Sequence, residues 1–348
     1  MPLDTMAAGS RRTALKTRTL ASLLAEPYPA REPLLHPVLK QGESMMLWAQ
    51  TGAGKTWLSL TMALAIAGGG TFIGWSAEKP RRVLLVDGEM AMEDLQDRLR
   101  VLAGTVEGLD AEAAGSNLLI LARQDQSADV LFPDIGKEEG QDAVLRMAQG
   151  HGAELVLLDN FSTLAEVEDE NAASAMNPVL SFLLRLKQAR LACVLVHHSG
   201  KDGGNYRGSS KLAATFEVIL GLVRENSAGS VTGAAFTTQW DKFRSAPHPT
   251  LVPRDVALVD GPDGVLLWRA EPAERDKVRA YLAALETGQC SSQREIAKAC
   301  GWSEGEASKV RGRAILAGRL TEARLKEVFA AVNEGRRAGP DVGLEAPF

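Results

Sequence analysis

The chain has 348 residues, 45% of them hydrophobic, enough for one large domain with a substantial core plus a small one. A net charge of −5 gives no whole-chain sign of nucleic-acid binding. Cys193, Cys290 and Cys300 have no ligand-like spacing, which argues against a zinc site or a disulfide framework, and no signal peptide or membrane-length apolar run is present, so a cytoplasmic protein without a membrane partner is expected.

Residues 1–25 read as a flexible basic arm, with Arg11, Arg12, Lys16 and Arg18 against Asp4 in the first twenty. Pro27, Pro29, Pro33 and Pro37 then impose an extended lead-in to a core that spans 26–270. Met45-Met46-Leu47-Trp48 reads as a buried strand and Trp57 to Ala67 as a helix. Between them lies AQTGAGKT, residues 49–56. Strand, glycine-bearing loop and helix, with Lys-Thr where the helix begins, is the pattern of a phosphate-binding loop. Ala49 stands at the first glycine of that pattern. Residues Gln50, Thr51, Gly52, Ala53, Gly54, Lys55, Thr56 and Trp57 are the expected nucleotide-binding set. Backbone N–H groups and the positive helix end would cradle phosphates, Lys55 would reach the β- and γ-phosphates, and Thr56 would offer its hydroxyl to Mg²⁺.

Arg82 to Glu89 is an apolar strand with acids at its carboxyl end, where ligands of open α/β sheets bind. Glu89 or Asp87 is placed to deprotonate an attacking water. Met90 to Ala103 is an amphipathic helix with Leu95, Leu99 and Leu102 on one face. After a mixed segment, Leu155 to Asn160 gives a second acid-ended strand, and Asp159 would hold the Mg²⁺ shell opposite Thr56. An acidic stretch, 166–171, precedes a helix from Asn177 to about Ala189 with Leu180, Leu183 and Leu184 inward. The strand Ala192–Val196 ends in His197-His198 and runs into a glycine-rich loop carrying Lys201, Arg207 and Lys211. Adjacent histidines on a strand face opposite ways, which makes them poor co-ligands of one metal. Further strands are expected at 216–223, 234–240 and 265–268. Lys242 and Arg244 alternate with strand period, so both cations share a face.

Beyond 271 the pattern turns helical. From Glu274 to Arg337 there are 13 Lys+Arg and 9 Asp+Glu, a local net of +4. Helices at 276–286, 291–301 and 305–316, the last carrying Lys309, Arg311 and Arg313, read as a helix-turn-helix over 271–335. Gly318 to Thr321 would begin a small wing, and 336–348 a disordered tail.

The order of phosphate loop, Glu-ended strand, Asp-ended strand, histidine-ended strand with a polar loop, and Lys-x-Arg strand resembles the RecA-like ATPases. Within them it is most similar to the RepA-type plasmid replicative helicases, relatives of the DnaB helicases. Residues 168–172, His197-His198 and Arg207-Gly208-Ser209-Ser210 carry the finer likeness. The resemblance implies an α/β fold with a mainly parallel sheet flanked by helices, followed by the helix-turn-helix or winged-helix domain. It implies Glu89 as catalytic base, His198 as γ-phosphate sensor, and Lys242 and Arg244 as a finger completing a neighbour's site, with Arg207 the alternative. It further implies loops 165–175 and 199–211 facing a DNA channel, ATP and Mg²⁺ as substrate and cofactor, and a homo-oligomeric ring, a hexamer, moving on single-stranded DNA. Duplex DNA is a candidate partner of the carboxyl-terminal domain. The alternatives are a recombination or helicase-loading ATPase without processive unwinding, and an ATP-switched replication or transcription regulator.

Overall fold

The computed structural model describes residues 15–166, 177–199, 214–223, 234–261, 264–273 and 277–338. Two units separate at the boundary between Glu32 and Pro33. In the first, α1 (Leu20–Ala25) forms where the sequence suggested a flexible arm. Its cause is local. Thr19 caps the helix by accepting the Ser22 N–H at 3.2 Å, and Arg18 pairs with Glu26.

The second unit begins with a short ribbon of β1 (Pro33–Leu35) and β2 (Leu39–Lys40). Strand β3 (Ser44–Ala49) leads into α2 (Lys55–Gly68), whose end passes through Gly69 into a second ribbon, β4 (Gly70–Phe72) and β5 (Trp75–Ala77). There follow β6 (Val83–Asp87), α3 (Met92–Ala103), α4 (Ala111–Asn117), β7 (Leu118–Ala122), α5 (Glu138–His151), β8 (Leu155–Asp159) and α6 (Phe161–Leu164). Then come α7 (Asn177–Gln188), β9 (Ala192–His198), β10 (Val218–Val223), β11 (Ala235–Phe243), β12 (Arg254–Asp260) and β13 (Leu266–Pro272).

One nine-stranded sheet has the order β13-β12-β11-β10-β3-β9-β8-β6-β7. The six strands from β10 to β7 are parallel, and β11, β12 and β13 extend the sheet antiparallel. Strands buried on both faces need continuous apolar runs, and β3, β6 and β8 have them. Met45 and Leu47 point to one core with α2; Met46 and Trp48 point to the other with Phe161, Phe182 and Leu186. This is a RecA-like α/β fold, a large, mostly parallel sheet between helices. Gly221 of β10 lies against Trp48, where an added Cβ would sit 2.4 Å from the indole. The indole Nε1–H donates to Asp241 Oδ2 at 2.7 Å.

Several elements depart from the sequence reading. The mixed segment between α3 and β8 supplies α4, the parallel strand β7 and α5. Strand β7 closes the sheet, with no strand outside it, and is only partly buried: Leu119 is exposed, and of its five residues Ala122 alone is fully buried. The inward face of α7 is Val179, Phe182, Leu183 and Leu186, while Leu184 is 53% exposed. Apolar residues occur on more than one side of this helix, so periodicity alone did not fix its rotation. Strand β12 was not expected, since Arg254, Asp255 and Asp260 break up its apolar pattern.

The carboxyl-terminal region comprises α8 (Lys277–Glu286), α9 (Gln293–Ala299), α10 (Glu304–Leu316) and α11 (Glu322–Ala338), with a hydrophobic cluster of its own around Tyr281, Ile296 and Val310. Helix α11 replaces the expected wing, and it extends past residue 335, where the tail was placed. Leu325 joins the cluster, and Arg336 bonds to Glu295 and the Gln289 carbonyl, so the helix has both an apolar and a polar anchor. Among the described residues no helix is long and apolar enough to cross a membrane.

Candidate nucleotide site

The carboxyl edge of the parallel strands gathers five of the residues singled out in the sequence: Lys55, Thr56, Glu89, Asp159 and His198. The loop from Gln50 to Gly54 turns the chain from β3 into α2. Gly52 (φ 77°) and Gly54 (φ 104°) hold left-handed backbone there. A Cβ on Gly54 would lie 2.3 Å from the Ala234 Cβ, so no side chain fits. Gln50, Thr51 and Gly52 are exposed at the crown of the loop, whereas Ala53, Gly54 and Lys55 are buried.

The Lys55 ammonium donates to the Ala49 carbonyl at 3.0 Å, the Gln50 carbonyl at 3.1 Å and His198 Nδ1 at 3.3 Å. An ammonium only donates, so Nδ1 is the accepting nitrogen. Burial lowers the lysine pKa, and the Asp159 and Glu89 charges oppose that shift. His198 reaches this place because β9 pairs in parallel with β3, setting His198 beside Ala49. Its neighbour His197 points the other way, fully buried and edge-on to Phe161 with ring centroids 5.0 Å apart.

Asp159 ends β8 beside Asp87 of β6, and the two strand tips are tied by the Gly88 N–H donating to the Asp159 carbonyl at 2.8 Å. Asp159 Oδ2 accepts from Ser59 Oγ at 3.2 Å, and the Thr56 hydroxyl also hydrogen-bonds this carboxylate. Burial first, then the Asp87 charge, pushes the Asp159 pKa up to about 6. Asp87, the alternative base, is committed to backbone: its Oδ1 accepts the Glu89 N–H at 3.1 Å and the Met90 N–H at 2.7 Å. Glu89 instead accepts a bond from Asn160 Nδ2 at 2.6 Å, which fixes one carboxylate oxygen.

Three contributors were not seen in the sequence. Asn160 and Ser59 gain their meaning only from strand pairing and helix phase. Arg98 of α3 lies over the Trp57 ring at 4.9 Å and acts on Asp87 electrostatically. Nothing in its local pattern separates it from an ordinary helix-surface arginine.

Lys242 and Arg244 lie away from this site. Phe243 pairs with Val218, and Val218 with Met45, near the start of β3. At about 3.3 Å per residue, the four residues from Met45 to Ala49 put this pairing roughly 13 Å along the strand from Ala49. Both side chains donate to the Ala214 carbonyl, at 3.4 Å from Lys242 and 3.0 Å from Arg244, next to the Glu217 carboxylate that Lys187 binds. Burial, then the Arg244 charge, lowers the Lys242 pKa. Lys201, Arg207 and Lys211, and the acidic stretch 168–172, lie outside the described residues.

The donor set fits a magnesium nucleotide. A hard cation bound through substrate phosphates needs only one or two protein oxygens, and the Thr56 hydroxyl and Asp159 carboxylate supply them. Among the described residues there is no three-residue His, Cys, Asp and Glu cluster that would hold a cation unaided. A positive charge here would also relieve the Asp87–Asp159 repulsion.

A family model described as an AAA domain matches residues 9–204, more than half of the chain, and the chain belongs to that family. It carries a P-loop ATPase domain. Among solved structures it is similar to a KaiC-like protein from the hyperthermophilic archaeon Pyrococcus horikoshii, with 15% identity and a TM-score of 0.46 over 68% of this chain and 93% of that one. No curated protein matches it.

The raised pKa of Asp159 has a cost in stability. A carboxyl whose folded pKa lies above its unfolded value of 3.8 disfavours the fold once both states are ionised. That cost is absent below the unfolded value, grows from there to about 6, and is complete above it. Asp159→Asn is therefore expected to stabilise the nucleotide-free protein at neutral pH by on the order of 2 kcal/mol, with the gain vanishing in acid. Denaturant titrations across that pH range measure it. The same variant should bind Mg²⁺-ATP more weakly.

Proposed function

We propose that the chain hydrolyses ATP with Mg²⁺ as part of a homo-oligomeric ring, a hexamer, that moves along single-stranded DNA. The observation that carries the hydrolytic part is the meeting of Lys55, Thr56, Asp159 and the Asn160-held Glu89 at one sheet edge. The ring and the DNA strand rest on the RepA-type resemblance and on the finger pair being remote from its own subunit's loop.

Lys55 starts out bonded to three uncharged acceptors. Phosphate oxygens are anionic acceptors and give shorter, stronger bonds. An arriving triphosphate would draw the ammonium off the Ala49 and Gln50 carbonyls and off His198. Thr56 and Asp159 would hold Mg²⁺, which neutralises charge building on the phosphate oxygens. Asn160 keeps one oxygen of Glu89 occupied, leaving the other to accept a proton from the attacking water. Release of His198 from Lys55 gives the end of β9 a contact that depends on nucleotide, directly before the stretch of sequence that contains Lys201, Arg207 and Lys211. In the same reading Lys242 and Arg244 serve the γ-phosphate of an adjacent subunit.

Steady-state turnover tests the base. Glu89→Gln should retain ATP binding and lose about 10²–10⁴-fold in kcat, because an amide cannot take the proton. Near-normal turnover would remove Glu89 from that role. Single-stranded DNA should raise wild-type turnover, and a rate indifferent to DNA would argue against a motor.

Mixing tests the neighbour's finger. Arg244→Ala should lower turnover by on the order of a thousand-fold with ATP affinity nearly intact. Combined with Lys55→Ala, each inactive alone, it should regain activity in shared rings, since some sites then have both an intact loop and an intact finger. A mixture that stays inactive while mixed rings demonstrably form would rule the finger out.

A further inference from the structure

The helices at the carboxyl end form a charged face that ATP turnover does not use. Helix α9 is followed by a four-residue turn, Cys300 to Ser303, in which Gly301 takes left-handed backbone (φ 70°). Trp302 of this turn packs on the domain's own cluster, and Ser303 caps α10 by accepting the Glu306 N–H at 3.2 Å. The turn and the start of α10 are thus fixed from inside the domain. A capped second helix after a short glycine turn is the arrangement that helix-turn-helix proteins insert into the major groove.

The charges on α10 are sorted. Its two acids are engaged by other helices, Glu304 with Arg294 at 3.4 Å and Glu306 with Lys277. Arg311 turns toward α9 and donates to Gln293 Oε1 at 2.8 Å. Lys309 and Arg313, one helical turn apart, are exposed, and neither has an ion pair among the described residues. Gly305, Ser308 and Gly312 lie exposed on the same side, and a Cβ built on either glycine meets nothing within 4 Å. The face is therefore cationic and low, so a sugar-phosphate backbone can approach the helix closely. A protein interface would be expected to carry buried apolar or aromatic anchors, whereas this face offers only Leu316, at the helix end.

We infer that α10 docks duplex DNA, with Lys309 and Arg313 on backbone phosphates and the Gly305–Gly312 side of the helix toward the major groove. This stands apart from the hydrolytic reading, because none of these residues touches the nucleotide site.

The test uses the full chain and a labelled blunt duplex oligonucleotide, with excess unlabelled single-stranded DNA to occupy any strand-binding loop. Binding is measured against salt concentration. Each lost phosphate contact should lower the slope of log affinity against log salt by about 0.9, so Lys309→Ala/Arg313→Ala should lower it by about 2 and weaken binding at least tenfold at low salt. ATP turnover without DNA should be unchanged, which also reports that the variant is folded. Arg324→Ala/Lys326→Ala removes the same charge from α11 and should leave the slope nearly intact. Arg313→Lys, which keeps the charge, should restore most of the affinity. Equal losses from the α10 and α11 pairs would mean bulk charge alone and would overturn the assignment. So would a wild-type chain that ignores the duplex, which would leave the face to a protein partner.

Discussion

The site depends on a buried ammonium with three donors and three uncharged acceptors. Lys55 is held by two carbonyls of its own loop and by the imidazole of His198. An ammonium in that position is satisfied but not neutralised, and burial works against its charge. Across the edge, Asp87 and Asp159 carry the opposite problem, two carboxylates brought side by side by strand register. The protein thus keeps unlike charges poised at one edge without letting them close into an ion pair. A bound magnesium triphosphate would satisfy both sides at once, since phosphate oxygens take the ammonium and the cation takes the carboxylate.

The fold is what makes this arrangement possible. Parallel strands end at a common edge, so the residues after β3, β6, β8 and β9 converge although they are far apart in sequence. Trp48 and Gly221 show how closely the strands beneath are packed, and Gly54 against Ala234 shows the same of the loop. Rigidity of this kind lets small residues do specific work. Asn160 holds Glu89, the Gly88 N–H joins two strand tips, and Asp87 serves as a brace for the turn that carries Glu89.

The legible part of the sequence was the part with fixed local spacing. The loop from Ala49 to Thr56 and the acid-ended strands could be read because their chemistry repeats along the chain. Asn160 and Ser59 could not, because each acts through a partner about seventy to a hundred positions away, and Arg98 could not, because its place over Trp57 and near Asp87 is set by how α3 packs. The edge strand β7, Leu118–Ala122, is a short apolar run that periodicity alone does not separate from a buried helix segment, and α7 reads with Leu184 inward because several faces of that helix are apolar. The expected wing failed for a plainer reason. Gly318 to Thr321 looks like the start of a turn, but the following Leu325, Val328 and Phe329 repeat at helical spacing and pack on the carboxyl-terminal hydrophobic cluster.

The central claim is that nucleotide arrival exchanges the partners of Lys55 and so alters His198. Nitrogen NMR of labelled histidine observes that exchange directly, because the Nδ1 shift responds to loss of the hydrogen bond from the ammonium. Adding Mg²⁺ with a non-hydrolysable ATP analogue should move the His198 Nδ1 resonance, while AMP, which lacks the β- and γ-phosphates, should not. A His198 resonance that stays in place at saturating analogue, with binding verified by calorimetry, would contradict the exchange and with it the coupling of nucleotide to the end of β9.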